Sequence, residues 1–323
     1  MIADKKCRLC REEGLIVSIG KKLVRVVDGI VEVLVLGVLL LLLFYGCFAI
    51  WDSRQIYREA DASRYQMYKP DADDNLSFEE LRTLNPEVFG WISVYGTGID
   101  YPLVQSKSNE KYINTNAKGE YSLSGSIFLD YRNNPDFTDF NSIIYGHHME
   151  QSAMFGDLNN FKDMDYFGSR RHGNLYYDGK DHGIEFFAFL EADAYDRSIY
   201  IPAVSGEENC RNYLENLLSK AMYCGDITAA GTDRIVMLST CVSDITNGRH
   251  ILVGKVTDVT FPDVWKENRE ASESRSVRTW LQSVSGCGFA GLVVLLVLLA
   301  AAVRRASRKY KQKGKVKKGD GNV

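Results

Sequence analysis

The 323-residue sequence predicts a mainly β fold, an eight-stranded barrel with peripheral helices, flanked by two transmembrane helices. Three observations carry that expectation. Two long apolar runs bear no charge. The stretch between them is rich in short Val/Ile/Tyr/Phe segments bounded by turn residues. Those segments do not alternate regularly with helices, which argues for a barrel over a doubly wound sheet.

Val33–Trp51 is uncharged over nineteen positions and Val284–Val303 over twenty. At about 1.5 Å rise per residue, either run can cross a hydrocarbon core about 30 Å thick. The flanks set the orientation. Residues 1–28 carry seven Lys/Arg against four acids, and residues 304–323 carry nine against one. Removing these from the chain's 39 basic and 42 acidic residues leaves 23 and 37 in between. Basic flanks stay cytoplasmic, so both termini are expected inside the cell and residues 52–283 outside. The first run is longer than a signal-peptide core and lacks a following small-x-small site, so it reads as an uncleaved anchor. The basic tail reads as a stop-transfer flank against anionic lipid rather than a nucleic-acid site. The chain therefore divides into a cytoplasmic N-terminus (1–32), a span (33–51), a helical extension (52–84), a catalytic barrel (85–262), a linker (263–283), a second span (284–303) and a basic tail (304–323).

Asp52 to Lys69 reads as a polar helix stopped by Pro70, and Ser77-Phe-Glu-Glu80 as a capping box opening a short one. From Trp91 eight strands follow: Trp91–Tyr95, Ile99–Val104, Ser126–Asp130, Ser142–Tyr145, Asn174–Tyr177, Ile184–Ala194, Arg234–Thr240 and His250–Thr260. Gly96-Thr-Gly98 makes a tight connection between the first two. Helical patches are expected over Ala153–Phe161 and Glu208–Tyr223. That second helix separates Cys210 from Cys224 by about 20 Å, too far for a disulfide. Cys7 and Cys10 form a lone C-x-x-C with no second pair on their side, so no metal site is expected.

Arg234-Ile-Val-Met-Leu-Ser-Thr-Cys241 is a buried-looking strand ending in a cysteine, and Arg249 opens the next strand. If the two are antiparallel neighbours, Cys241 and Arg249 share one end of the sheet. A nucleophilic thiol needs such a setting: partial exposure, nearby positive charge and a proton acceptor. Of the five histidines, His172 and His182 lie in turn-like, solvated contexts, and His250 should point away from its neighbour Arg249. His147 and His148 follow a strand through Gly146. On extended backbone they point oppositely, and His147 is the candidate acid/base. Adjacent histidines converge poorly on one ion, so a metal centre there is not expected. Ser239 and Thr240 flank the nucleophile and are candidates to line the substrate groove.

Tyr145-Gly-His147, Leu238-Ser-Thr-Cys241 and Arg249, in that order, resemble the motifs of the class B sortases. So do Asn85-Pro-Glu-Val-Phe-Gly-Trp91, Ile99-Asp-Tyr-Pro-Leu-Val104 and Gly125-Ser-Ile-Phe-Leu-Asp-Tyr-Arg132. The resemblance covers roughly residues 55–261. It implies a sortase-type barrel that cleaves a C-terminal sorting signal after threonine, with Cys241 as nucleophile, His147 as acid/base and Arg249 steadying the tetrahedral intermediate. It implies a surface protein or pilin as donor, a peptidoglycan precursor amine or a pilin lysine as acceptor, and no cofactor. Val242 stands where some relatives carry an acid. A second span with a basic tail is commoner in pilin-polymerising sortases, which keeps that alternative beside wall anchoring. A non-enzymatic surface-binding barrel is the remaining alternative.

Overall fold

The computed structural model describes residues 2–71, 76–225, 229–241 and 248–266, and the expected second span and basic tail lie outside them. The chain divides at Phe261, and every element below belongs to the unit Met1–Phe261.

The N-terminal helix α1 runs unbroken from Ile2 to Ala60. Within it, Val26–Ala60 is long and apolar enough to cross a membrane, which suggests an N-terminal anchor. The separate helix expected over Asp52–Lys69 is instead the end of α1 followed by two 3₁₀ turns, Ala62–Arg64 and Gln66–Tyr68. Asp61 explains the break, because its carboxylate accepts from Ser63 N at 2.9 Å and caps the tighter turn. A short helix α2 (Leu76–Leu84) buries Phe78 and Leu81 and leads into the sheet.

Nine strands follow among the described residues: β1 (Val88–Val94), β2 (Asp100–Val104), β3 (Ile127–Leu129), β4 (Asn141–His147), β5 (His172–Tyr177), β6 (Lys180–Asp193), β7 (Ala221–Cys224), β8 (Arg234–Cys241) and β9 (Gly248–Thr257). Their order is β5-β1-β2-β3-β4-β8-β9-β6-β7, and β5 also pairs with β6. That pairing closes an eight-stranded ring and leaves β7 as an extra edge on β6. All eight expected strands are present. β7 was not expected: its four residues continue the apolar pattern of the helix α4 (Glu207–Ser219), which ends at Lys220. The helix expected over Ala153–Phe161 is a 3₁₀ run, Gly156–Lys162, followed by a short helix α3 (Met164–Ser169).

Strand alternation divides the apolar side chains into two cores. Ile144, Val236, Leu238, Leu252 and Val256 belong to the larger. Ile143, Ile235, Met237, Ile251 and Val253 point the other way into a smaller core shared with Tyr213, Leu214 and Leu217 of α4. In β6 both Phe187 and Ala188 join the smaller core, because the register against β9 shifts between Phe186 and Ala188. A bulge of this kind reverses the side-chain parity of a strand part-way along. Each buried Leu or Ile on these faces contributes about 1.5–3 kcal/mol.

Candidate active site

The site grows out of one pairing. β4 and β8 are parallel neighbours in an unbroken register from Asn141↔Ile235 to His147↔Cys241. Their ends therefore coincide, and His147 and Cys241 are Cα partners across a spacing of about 4.8 Å. β8 and β9 are antiparallel, with Ser239↔Ile251. The pairing ends there, and Arg249 lies two residues before Ile251, at the same end of the sheet as Cys241.

Gly146 makes the end of β4 possible. A Cβ there would stand 2.5 Å from Ile127 Cδ1 and 2.8 Å from the Phe155 ring, so any side chain would force the packing beneath the strand to shift. His147, half-buried, is oriented from the β2–β3 connection, where its Nε2 donates to the carbonyl oxygen of Ile113 at 2.7 Å. Arg249, also half-buried, donates from Nη1 to Thr240 O at 2.7 Å, so the guanidinium is tied to the residue that precedes Cys241. Ser239 and Thr240, expected to line the groove, are fully buried. The Ser239 hydroxyl shares a hydrogen bond with Tyr200 OH at 3.2 Å, and Thr240 Oγ1 accepts from His250 N at 3.2 Å. Their hydroxyls are engaged inside the protein and set the floor on which the strand ends rest.

The other histidines are held elsewhere. His250 turns to the opposite face, its Nε2 3.2 Å from Glu191, whose carboxylate also meets Lys162 at 2.6 Å. Burial, aided by the Lys162 charge, pushes its pKa below the usual histidine value. His148 is exposed, and its ring lies 6.4 Å from that of His250, on the side away from His147. His172 and His182 were expected in solvated turns. They lie in β5 and β6, stacked on Phe261 at 4.2 Å and on Tyr177 at 4.0 Å, and burial lowers both pKa values. Cys210 and Cys224 are both free thiols, as the sequence led us to expect.

Two features of the surroundings were given no role by the sequence reading. Tyr145, two residues before His147, donates to Asp130 at 3.2 Å. Asp130 is fully buried and accepts from Arg132 Nε at 2.9 Å and Nη2 at 2.8 Å. Burial alone would raise its pKa, but the Arg132 bonds and charge outweigh it and hold the carboxyl below the usual range. Tyr200 reaches the site from the β6–α4 connection, where Asn141 anchors the chain by donating to Ile201 O at 2.6 Å.

A closed eight-stranded ring that gathers a cysteine, a histidine and an arginine at adjoining strand ends is the layout of a cysteine acyl-transfer enzyme. No family model matches the chain. Sortase B of Listeria monocytogenes is 37% identical over 183 residues, which are 55% of this chain and 72% of that protein. The structure of Clostridium perfringens sortase B superposes with a TM-score of 0.53 at 37% identity, covering 56% of this chain and 100% of that one. A Streptococcus pyogenes class B sortase involved in pilus biogenesis gives a TM-score of 0.52 at 38% identity, covering 56% and 98%. The chain belongs to the class B sortases. That membership supports cysteine transpeptidase chemistry.

Proposed function

We propose that this protein is a membrane-anchored transpeptidase that cleaves a C-terminal sorting signal after threonine. The acyl group passes to an amine of a cell-wall peptidoglycan precursor. The observation that carries the reading is the β4–β8 register, which makes His147 and Cys241 direct neighbours.

In this reading the Cys241 thiol gives its proton to His147 and the sulfur attacks the threonine carbonyl carbon, forming a C–S bond and a tetrahedral oxyanion. Arg249 stabilises that oxyanion. As the C–N bond breaks, His147 protonates the leaving amine, leaving a thioester. The incoming amine gives a proton to His147, attacks the thioester carbon and expels the thiolate. Ser239 and Thr240 support the strand end from below. The apolar part of α1 anchors the enzyme, and the basic flanks argue for both termini in the cytoplasm, with the apolar run at 284–303 as a second span. Protease protection on intact cells tests that topology.

The test of the chemistry uses the full-length chain in detergent micelles with a fluorogenic sorting-signal peptide. Cys241→Ala and His147→Ala should each abolish turnover, and the wild type should accumulate a thioester visible by mass spectrometry. Turnover retained by either variant removes the mechanism. A product that stays a free acid when triglycine is added makes the protein a hydrolase instead.

A second reading has a pilin lysine as the acceptor. It is favoured by the likeness to the S. pyogenes class B sortase involved in pilus biogenesis. Offering a peptidoglycan-type amine and a pilin-derived lysine peptide together, and measuring which one is acylated, separates the two.

A further inference from the structure

The imidazole of His147 is held at Nε2 by main chain, through the Ile113 carbonyl. A carbonyl oxygen can only accept, so a neutral ring bound this way carries its proton on Nε2 and its lone pair on Nδ1. Ile113 ends a short 3₁₀ turn, Lys111–Ile113. The turn is anchored on both sides. Tyr112 is buried, donates to Glu87 Oε2 at 2.5 Å and accepts from Asn85 Nδ2 at 2.9 Å. Ser126 N, just before β3, donates to Tyr112 O at 3.0 Å.

Gly125 lies directly against these carbonyls with φ +59°. A Cβ on it would stand 2.5 Å from Ile113 O and 2.5 Å from Tyr112 O, both main-chain atoms with no side-chain freedom to yield. Gly119, in the same connection, has φ +86° but nothing within 4 Å of a built Cβ. The two glycines therefore differ in a useful way. Both release backbone strain, but only Gly125 makes room for the atom that holds His147.

We propose that the connection between Lys111 and Ser126 is a positioning strap for the acid/base histidine, with Gly125 the residue that allows it. The strap fixes His147 as the Nε2–H tautomer, so that Nδ1 is the nitrogen that takes a proton from the incoming amine and gives one to the leaving amine. The proton on Nε2 stays there throughout, donated to Ile113 O. This inference rests on the acid/base reading of His147.

The experiment uses the full-length chain labelled with 15N-histidine in detergent micelles. Long-range 1H–15N spectra identify which ring nitrogen carries the proton, and kcat and KM are measured on the same samples. Wild type should show neutral His147 protonated on Nε2. Gly119→Ala carries the same kind of backbone strain at φ +86° but its methyl meets no atom, so it should keep that tautomer and a kcat within about twofold. Gly125→Ala should give a tautomer mixture and a kcat lower by about 10- to 100-fold with little change in KM, as expected for a misplaced catalytic group. Gly125→Asn tolerates positive φ yet keeps a Cβ, so it should lose as much as Gly125→Ala. Tyr112→Phe removes one anchor and adds no atoms, and it should partly lose the Nε2–H signal even where Gly125→Ala fails to fold. The proposal is overturned by an unchanged tautomer in Gly125→Ala or, where that variant does not fold, in Tyr112→Phe. Recovery of rate in Gly125→Asn, or equal damage from Gly119→Ala, overturns it as well. Turnover in His147→Ala would sink the acid/base role instead, while the tautomer spectra would still report on the strap.

Discussion

Arg249→Lys keeps a positive charge at the start of β9 and removes the planar fork. A guanidinium has five N–H donors, and one of them, on Nη1, is committed to Thr240 O at 2.7 Å. In the proposed mechanism the others would serve a developing oxyanion at the Cys241 thioester. A lysine ammonium is a single point of charge, and it cannot serve Thr240 O and the substrate oxygen in the same plane. Losing one hydrogen bond to a charged group amounts to about 1.5–3 kcal/mol. At about 1.4 kcal/mol per factor of ten, the expected fall is roughly 10- to 150-fold in kcat. Arg249→Ala removes the donor outright and should lower kcat by about 100- to 1000-fold, as loss of an oxyanion donor does. KM should barely move in either variant, because the oxyanion exists only at and near the transition state. The assay is fluorogenic peptide cleavage by the full-length chain in micelles, with kcat and KM separated and urea melts confirming equal folding. Wild-type kcat in Arg249→Lys, or a raised KM at unchanged kcat in Arg249→Ala, would assign the guanidinium to ground-state binding and refute the reasoning.

Asp100 is buried and accepts from Lys69, Trp91 Nε1 and Ser93 Oγ, so Asp100→Ala strands several donors and should destabilise the barrel by about 3–5 kcal/mol in urea titration. Burial works to raise its pKa, but Lys69 and the other donors prevail and lower it. Its contribution is therefore present above the unfolded value of about 3.9 and is lost as pH falls through the lower folded one. Asp196, hydrogen-bonded to Lys220 at the end of α4, has its pKa pushed down to about 2. Amide exchange near Tyr200 and Ser219 should accelerate as pH falls from about 4 toward 2, and should not in Asp196→Asn, where no titration remains. Gly146→Ala places a methyl against Ile127 and Phe155 and should destabilise by about 1–3 kcal/mol while displacing the end of β4. A variant with full stability and full activity would show that the strand end has slack.

The strands were legible because their residues are β-branched and aromatic and their ends carry Gly, Asn and Asp. The β8–β9 hairpin followed directly from that pattern. What escaped has specific causes. β7 reads Ala221-Met-Tyr-Cys224, an apolar continuation of α4 with no Gly or Pro to mark the break. The segment before Gly156 looked helical, yet Gln151, Ser152 and Met154 all take positive φ, and only tertiary packing selects that conformation for such residues. Strand parity said that only one of His147 and His148 could face the cysteine, the Tyr145-Gly-His147 resemblance pointed to the first, and in the structure the two residues face opposite sides. The partner of His147 could not be foreseen in the same way. It is a backbone carbonyl, and every residue type supplies one.

The parity argument also explains why the site lies where two cores meet. A slip of one residue between β4 and β8 would set His148, not His147, beside Cys241. It would also shift every outward residue of β4 against an inward residue of β8. Ile143 and Met237 are buried against α4, whereas Ile144 and Leu238 are buried inside the ring, so each face separately resists the slip. In a strand buried on one face only, half of that resistance would be missing. The helix α4 therefore does more than cover an apolar surface. By giving the outer face its own core, it fixes the register that makes the histidine and the cysteine neighbours.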